Sequence, residues 1–136
     1  MSEIIDGKLI SKSVKDKIAE EVKELKKIGV TPGLAVIIVG ENPASQIYVR
    51  NKQRACEEVG FESFKYEMPE NTTQDELLEL IKKLNDDDSV NGILCQLPLP
   101  KHIDESTVIN NISPKKDVDA FHPENVGRIM IGDYSF

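Results

Sequence analysis

The chain reads as an α/β domain of three layers, α/β/α, in which a mostly parallel sheet is flanked by helices. Three observations predict this. Leu34 to Val39 is a near-continuous apolar run, as a strand buried on both faces requires. A second run, Val90 to Gln96, ends in Leu97-Pro-Leu-Pro100. Amphipathic helical patterns alternate with these runs, and alternating strands and helices build a parallel sheet through right-handed crossovers.

The elements follow in order. Val14, Ile18, Val22 and Leu25 recur at helical spacing, which predicts a helix from about Ser11 to Ile28. Ser11 or Ser13 is its expected cap, and Gly29 stops it. Thr31-Pro-Gly33 is a turn into the first strand. Gly40-Glu-Asn-Pro43 is the next turn, and Pro43 suits the first turn of a helix that Gly60 ends. Phe61 to Met68 alternates loosely, as a strand does. Thr72 or Thr73 caps a helix through Leu77, Leu78, Ile81 and Leu84, with Glu76 as its capping-box partner. Asp86-Asp-Asp-Ser89 is a solvated turn rather than a metal site. Asp104 to Asn111 is a short helix, and Ser113 to Pro123 is a loop.

The totals bound the function. The 136 residues suffice for one domain with a core, taken as residues 1–136. A net charge of -7 speaks against nucleic acid as a partner. No apolar stretch reaches the length of a membrane span, so no membrane partner is expected. The Met-Ser-Glu-Ile-Ile-Asp-Gly-Lys start lacks the pattern of a signal peptide. The two cysteines, Cys56 and Cys95, have no metal-type spacing, and a cytoplasmic location is the expectation. Cys56 follows Lys52 by four residues and can share its helix face, whereas Cys95 reads as a small strand residue.

Candidate chemistry gathers where strands feed helices, the place α/β folds put ligands. Ser45, Tyr48 and Lys52 are spaced by three and four residues, which puts a hydroxyl, a phenol and an amine on one side of a helix. A lysine that exchanges protons near neutral pH must drop from ~10.4 to ~7, roughly 4–5 kcal/mol, through partial burial and hydrogen bonding. The bland alternative is a solvated surface lysine. Tyr-x-x-x-Lys is also the catalytic pair of short-chain dehydrogenases, but those need a Gly-rich dinucleotide turn, and no Gly-x-Gly-x-x-Gly occurs here. Gln96 closes a strand and can donate and accept, with a simple strand stop as the alternative. Pro98 and Pro100 stiffen the rim beside it. Asp119, in Lys-Asp-Val-Asp-Ala120, could hold two adjacent N–H donors of a heterocycle or serve as a turn residue. Asp117 could equally be the structural one of the two. For His102 and His122, loop or capping roles outweigh metal binding.

Gly-Glu-Asn-Pro-Ala-Ser-Gln-Ile-Tyr-Val-Arg-Asn-Lys52, Gly92-Ile-Leu-Cys-Gln-Leu-Pro-Leu-Pro100, Pro114-Lys-Lys-Asp-Val-Asp119 and Asn125-Val-Gly-Arg128 occur in this order. With Ile5-Asp-Gly-Lys8 and Pro32-Gly-Leu-Ala35, they make the chain resemble the methylenetetrahydrofolate dehydrogenase/methenyltetrahydrofolate cyclohydrolase family over nearly its whole length. The resemblance implies a folate-binding catalytic domain of a one-carbon enzyme. It implies that Lys52 is the general acid/base for water attacking the methenyl carbon. Tyr48 would flank the pterin and orient Lys52, Gln96 would tune Lys52, and Asp119 would grip the pterin edge. Ser45, Cys95 and Leu97 would be further substrate contacts. A catalytically silent folate-binding or interaction module with the same fold is the alternative.

Two positions depart from the family pattern. Cys95 stands where valine is common, a tolerable exchange in a core. Ala120 stands where glycine usually follows Asp-Val-Asp, and if that position needs positive φ, alanine strains the loop and can shift Asp119. Family members continue into a Pro-Cys-Thr-Pro stretch and a Rossmann domain that binds NADP or NAD. Neither follows Phe136, so the chain alone is expected to lack dehydrogenase activity and to keep at most weak cyclohydrolase activity. A homodimer is expected of the full-length parent.

Overall fold

Strand β1 (Gly33–Val39) organises the domain: it is hydrogen-bonded on both edges and buried on both faces. The computed structural model describes residues 4–135, so the reading of the extreme N-terminus falls partly outside the described residues. The chain runs α1 (Gly7–Lys27), β1, α2 (Pro43–Val59), β2 (Glu62–Met68), α3 (Gln74–Asp86), β3 (Gly92–Cys95), α4 (Glu105–Asn111), α5 (Pro123–Met130). The described strands form one parallel sheet in the order β2-β1-β3.

Side chains of β1 alternate between two cores. Ala35, Ile37 and Val39 pack with Leu77, Ile81 and Leu84 of α3 and Val108 of α4. Val36 and Ile38 turn the other way, onto Val49 of α2 and Leu94 of β3. Each fully buried Ile or Val on these faces contributes roughly 1.5–3 kcal/mol relative to exposure. Strand β2 is one edge, and its register sets Phe64, Tyr66 and Met68 beside Ala35, Ile37 and Val39, while Lys65 and Glu67 pair at 2.6 Å. Charges on an edge strand discourage pairing with other chains.

The expected α/β layering is present, with differences at the ends of elements. Helix α1 begins at Gly7, not near Ser11, because the Asp6 carboxylate accepts from Lys8 N (2.9 Å) and Leu9 N (3.3 Å) and caps it. Leu9 and Ile10 in that first turn are exposed, so no apolar period marks it. Strand β3 is shorter than its apolar run, although Asn91 N and Gln96 N still bond across to Gly33 O and Ile37 O, both at 2.8 Å. Asp87 accepts from Ser89 N and Oγ, which makes the acidic run a hydrogen-bonded turn. No described helix is long and apolar enough to cross a membrane.

Helix α5 starts where the loop expected over Ser113–Pro123 ends, in a stretch for which the sequence pattern predicts no element. His122 caps it by accepting from Glu124 N through Nδ1 at 3.2 Å, and Pro123 opens it. Its Val126, Ile129 and Met130 are exposed, so burial gave no strong signal.

Helix α3 carries a full capping box. Thr73 Oγ1 accepts from Glu76 N, and the Glu76 carboxylate accepts from Thr73 N at 2.8 Å. The Thr73 backbone N–H and then its hydroxyl hold the Glu76 carboxyl below its ordinary value. A lowered carboxyl stabilises the fold above its unfolded value and loses that contribution as pH falls through the folded one. Thr73→Ala removes the cap hydroxyl and is expected to cost about 1 kcal/mol in urea unfolding at neutral pH. The difference from wild type should shrink below about pH 4. An undiminished gap in acid would show that Glu76 has no part in it.

Candidate active site

Helix α2 starts from a tight turn. Gly40 has φ of 83°, Asn42 accepts from Ser45 N at 3.1 Å, and Pro43 occupies the first helical turn. Val49, Cys56 and Val59 are buried and seat the helix. This leaves Tyr48 exposed at 59%, Lys52 half-buried at the margin and Ser45 only 3% exposed.

β3 delivers the partner. Leu94 faces α2, so the next residue of that parity, Gln96, falls on the α2 side beyond the strand end. Gln96 Nε2 donates to the Leu97 carbonyl at 2.8 Å, which fixes the amide with Oε1 toward Lys52. Lys52 Nζ donates to that Oε1 at 3.4 Å. Ser45 Oγ donates to the same Leu97 carbonyl at 3.5 Å. The predicted hydroxyl is thus turned inward and ties α2 to the end of β3. Of the stripe, Tyr48 and Lys52 reach the surface.

Cys95 and Leu97 have the opposite parity and pack on the α3/α4 side. Burial, and secondarily the Glu105 carboxylate, push the Cys95 thiol up to about 12, so it stays protonated. A narrow crevice between Cys95, Leu97, Val108, Asp119 and Phe121 brings Asp119 to this side of the same strand end. The structure therefore groups Lys52, Gln96 and Ser45 around Leu97 O, and Asp119 with Cys95 and Leu97 around the crevice. Residues 95–97 join the two groups.

The loop carrying Asp119 is built by its neighbours. Ile93 N donates to Lys116 O at 2.7 Å, and Asp117 forms a parallel bridge to Ile93. Val118 closes over Gly92, where an added Cβ would stand 2.6 Å from Val118 Cγ1. Asp117 Oδ2 accepts from His122 N at 2.8 Å and from Asn125 Nδ2 at 3.0 Å. Asp117 is the structural carboxylate of the pair, and Asp119 is exposed. Sequence reading missed the Leu97 carbonyl, which leaves no side-chain signature, and Asn125, noted only as part of a motif.

Comparison with known proteins now decides the family. Residues 5–119 match the tetrahydrofolate dehydrogenase/cyclohydrolase catalytic domain. The chain belongs to this family. It is 62% identical over 136 residues to the Bifunctional protein FolD of Agathobacter rectalis, covering 100% of this chain and 49% of that protein. The FolD methylenetetrahydrofolate dehydrogenase/cyclohydrolase structure from Campylobacter jejuni superposes with a TM-score of 0.94 at 52% identity, covering 96% of this chain and 46% of that one. The Trypanosoma brucei FolD structure, complexed with NADP cofactor and an inhibitor, gives 0.91 at 39% identity, covering 96% and 44%. The chain spans about half the length of the curated relatives it matches.

Within this tetrahydrofolate dehydrogenase/cyclohydrolase domain, the loop departure has a definite geometry: Ala120 has φ of 54°, the left-handed region. An L-residue with a Cβ loses roughly 1–2 kcal/mol there, and glycine's greater unfolded-state freedom takes back part of any gain from replacing it. Ala120→Gly should raise unfolding free energy by about 0.5–1 kcal/mol at unchanged m-value. A loss of stability would show that the loop adopts another backbone.

Proposed function

We propose that this domain binds the pterin of a tetrahydrofolate and hydrolyses its N5,N10-methenyl bridge to the N10-formyl form. The observation that carries the reading is the Lys52 Nζ–Gln96 Oε1 contact of 3.4 Å at the C-terminal end of the sheet. Lys52, acting as the base, takes a proton from the water that adds to the methenyl carbon. The carbon–N5 bond then breaks, N5 keeps the electron pair and is protonated, and the formyl group stays on N10. The sum is one water consumed and one proton released. Gln96, held by Leu97 O, keeps the amine aimed without reorganisation. Tyr48, exposed one turn before Lys52, flanks the pterin, and Asp119 accepts from its ring N–H groups. Leu97 and Cys95 form the apolar floor between them.

In the full-length protein the same folate would also be oxidised by hydride transfer to NADP or NAD. Among the described residues the β1–α2 turn, Gly40-Glu-Asn-Pro43, has one glycine and a proline, and Asn42 already accepts from Ser45 N. That turn does not fit a dinucleotide pyrophosphate. The 136-residue chain by itself is therefore proposed to lack dehydrogenase activity. Folate is its proposed small-molecule partner, and the homodimer is proposed for the full-length protein.

Loss of methenyltetrahydrofolate absorbance should be faster with the wild-type chain than in buffer. Lys52→Ala should remove the enzyme-dependent part, by about 10²-fold or more. Equal rates for the two proteins would sink the catalytic reading. The strained Ala120 favours one alternative, a silent folate-binding module. Calorimetric binding of a folate without any rate enhancement would select it.

A further inference from the structure

Asn125 is buried to 1% exposure on a helix that is otherwise half-open to solvent. Its Nδ2 makes two hydrogen bonds, to Pro114 O at 2.8 Å and to Asp117 Oδ2 at 3.0 Å. Both neighbours can only accept, so both amide hydrogens are required and the amide orientation is fixed. No other residue of this size supplies two donors from one nitrogen without a charge. Aspartate at 125 would set a carboxylate against a carbonyl and a second carboxylate. A leucine would leave Pro114 O without this donor and Asp117 Oδ2 with His122 N alone.

The bonds span a particular piece of chain. Asp117 Oδ2 also receives His122 N at 2.8 Å, so one oxygen closes the six-residue loop 117–122 at its neck. Asn125 reaches that oxygen from α5 and ties it to Pro114, upstream of the loop. On the other flank the loop is pinned to β3 through the Ile93–Asp117 bridge and Val118 over Gly92. Asp119 stands at the middle, and among the described residues its carboxylate makes no hydrogen bond that would hold it. Ala120 beside it is in the strained left-handed region. A loop with an unheld functional group and a strained residue keeps its shape only if its ends are over-determined.

We propose that Asn125 is a positioning residue: through Asp117 it locks the neck of the 117–122 loop and so presents the Asp119 carboxylate to the ligand. The ligand part rests on the reading that Asp119 grips the pterin. The neck lock itself does not. Removing the amide frees the loop to relax the strain at Ala120, and Asp119 turns away from the crevice at Cys95 and Leu97.

The test uses the 136-residue chain with two readouts. The first is hydrogen exchange. In Asn125→Ala the amide of His122, which donates to Asp117 Oδ2, should exchange at least about tenfold faster than in wild type, with the core amide of Ile37 unchanged. Unchanged protection at His122 would overturn the proposal whatever the chain binds. The second is calorimetric affinity for 5-formyltetrahydrofolate in a cycle of Asn125→Ala and Asp119→Ala. Each single variant should bind about tenfold more weakly, and the double variant no more weakly than Asp119→Ala alone. Multiplying losses would mean that Asn125 acts independently of Asp119, against the proposal. If Asn125→Ala does not fold, Asp117 serves instead. Asp117→Asn retains an accepting oxygen and should keep wild-type protection at His122 and affinity within about twofold, whereas Asp117→Ala should lose both. Wild-type behaviour of Asp117→Ala would overturn the lock. Absence of wild-type binding with the predicted exchange change would remove the folate reading and leave the neck lock standing.

Discussion

The central position of β1 is the constraint on which the remainder depends. A parallel strand with neighbours on both edges and helices on both faces has no solvent side, so Leu34 to Val39 must be apolar throughout. That burial places α2 on one face and α3 with α4 on the other. It also sets the depth at which β1 and β3 end. Because Gln96 N still bonds to Ile37 O, the side chain of Gln96 emerges at the sheet rim and at no other level. Lys52, in the third turn of α2, meets it there. The polar pair at the rim is a consequence of apolar register several residues earlier.

The alternation of β3 explains why residues adjacent in sequence have separate duties. Leu94 and Gln96 face α2, whereas Cys95 and Leu97 face α3 and α4. Side chains from two faces reach the same strand end, and only the backbone of Leu97 is shared. Its carbonyl takes hydrogen bonds from Ser45 and Gln96, so a main-chain acceptor fixes both the helix and the amide. Spacing put Ser45 on the same side of α2 as Tyr48 and Lys52, but spacing gives the azimuth of a residue, not how deep the helix sits. Its burial follows from Val49 and Cys56 on neighbouring azimuths, which draw that side of α2 onto the sheet.

Much of the fold was legible because local chemistry and long-range packing agree. Asn42-Pro43 and Gly60 bound α2, and Thr73 with Glu76 bounds α3, by groups that satisfy helix-end donors and acceptors within a few residues. The start of α1 and the whole of α5 were not legible. Their outer turns bury little, so hydrophobic period carries no information there, and Asp6 and His122 had to be recognised as caps alone. That Lys52 and Gln96 would lie near one another was legible from element ends. The division of labour between Asp117 and Asp119 was not, since it depends on Asn125 arriving from another helix and on His122 five residues away. Ala120 lies between these cases: the sequence showed where strain would arise, and the left-handed backbone shows that the loop keeps that conformation despite the side chain.

The openness of the rim bears on which half of the proposed chemistry one domain can carry. Tyr48 is mostly exposed and Lys52 is only half-buried, so bulk water reaches the amine. For hydrolysis water is the reactant, and its access supplies the nucleophile even as it weakens the field that the polar groups exert on the developing charge. For hydride transfer water is no help: two ligands must be held in contact with solvent excluded, and a rim this open does not exclude it. An open Lys52–Gln96 rim is therefore compatible with the proposed hydrolysis and ill suited to hydride transfer. The asymmetry arises from geometry rather than from any deficiency in the residues themselves.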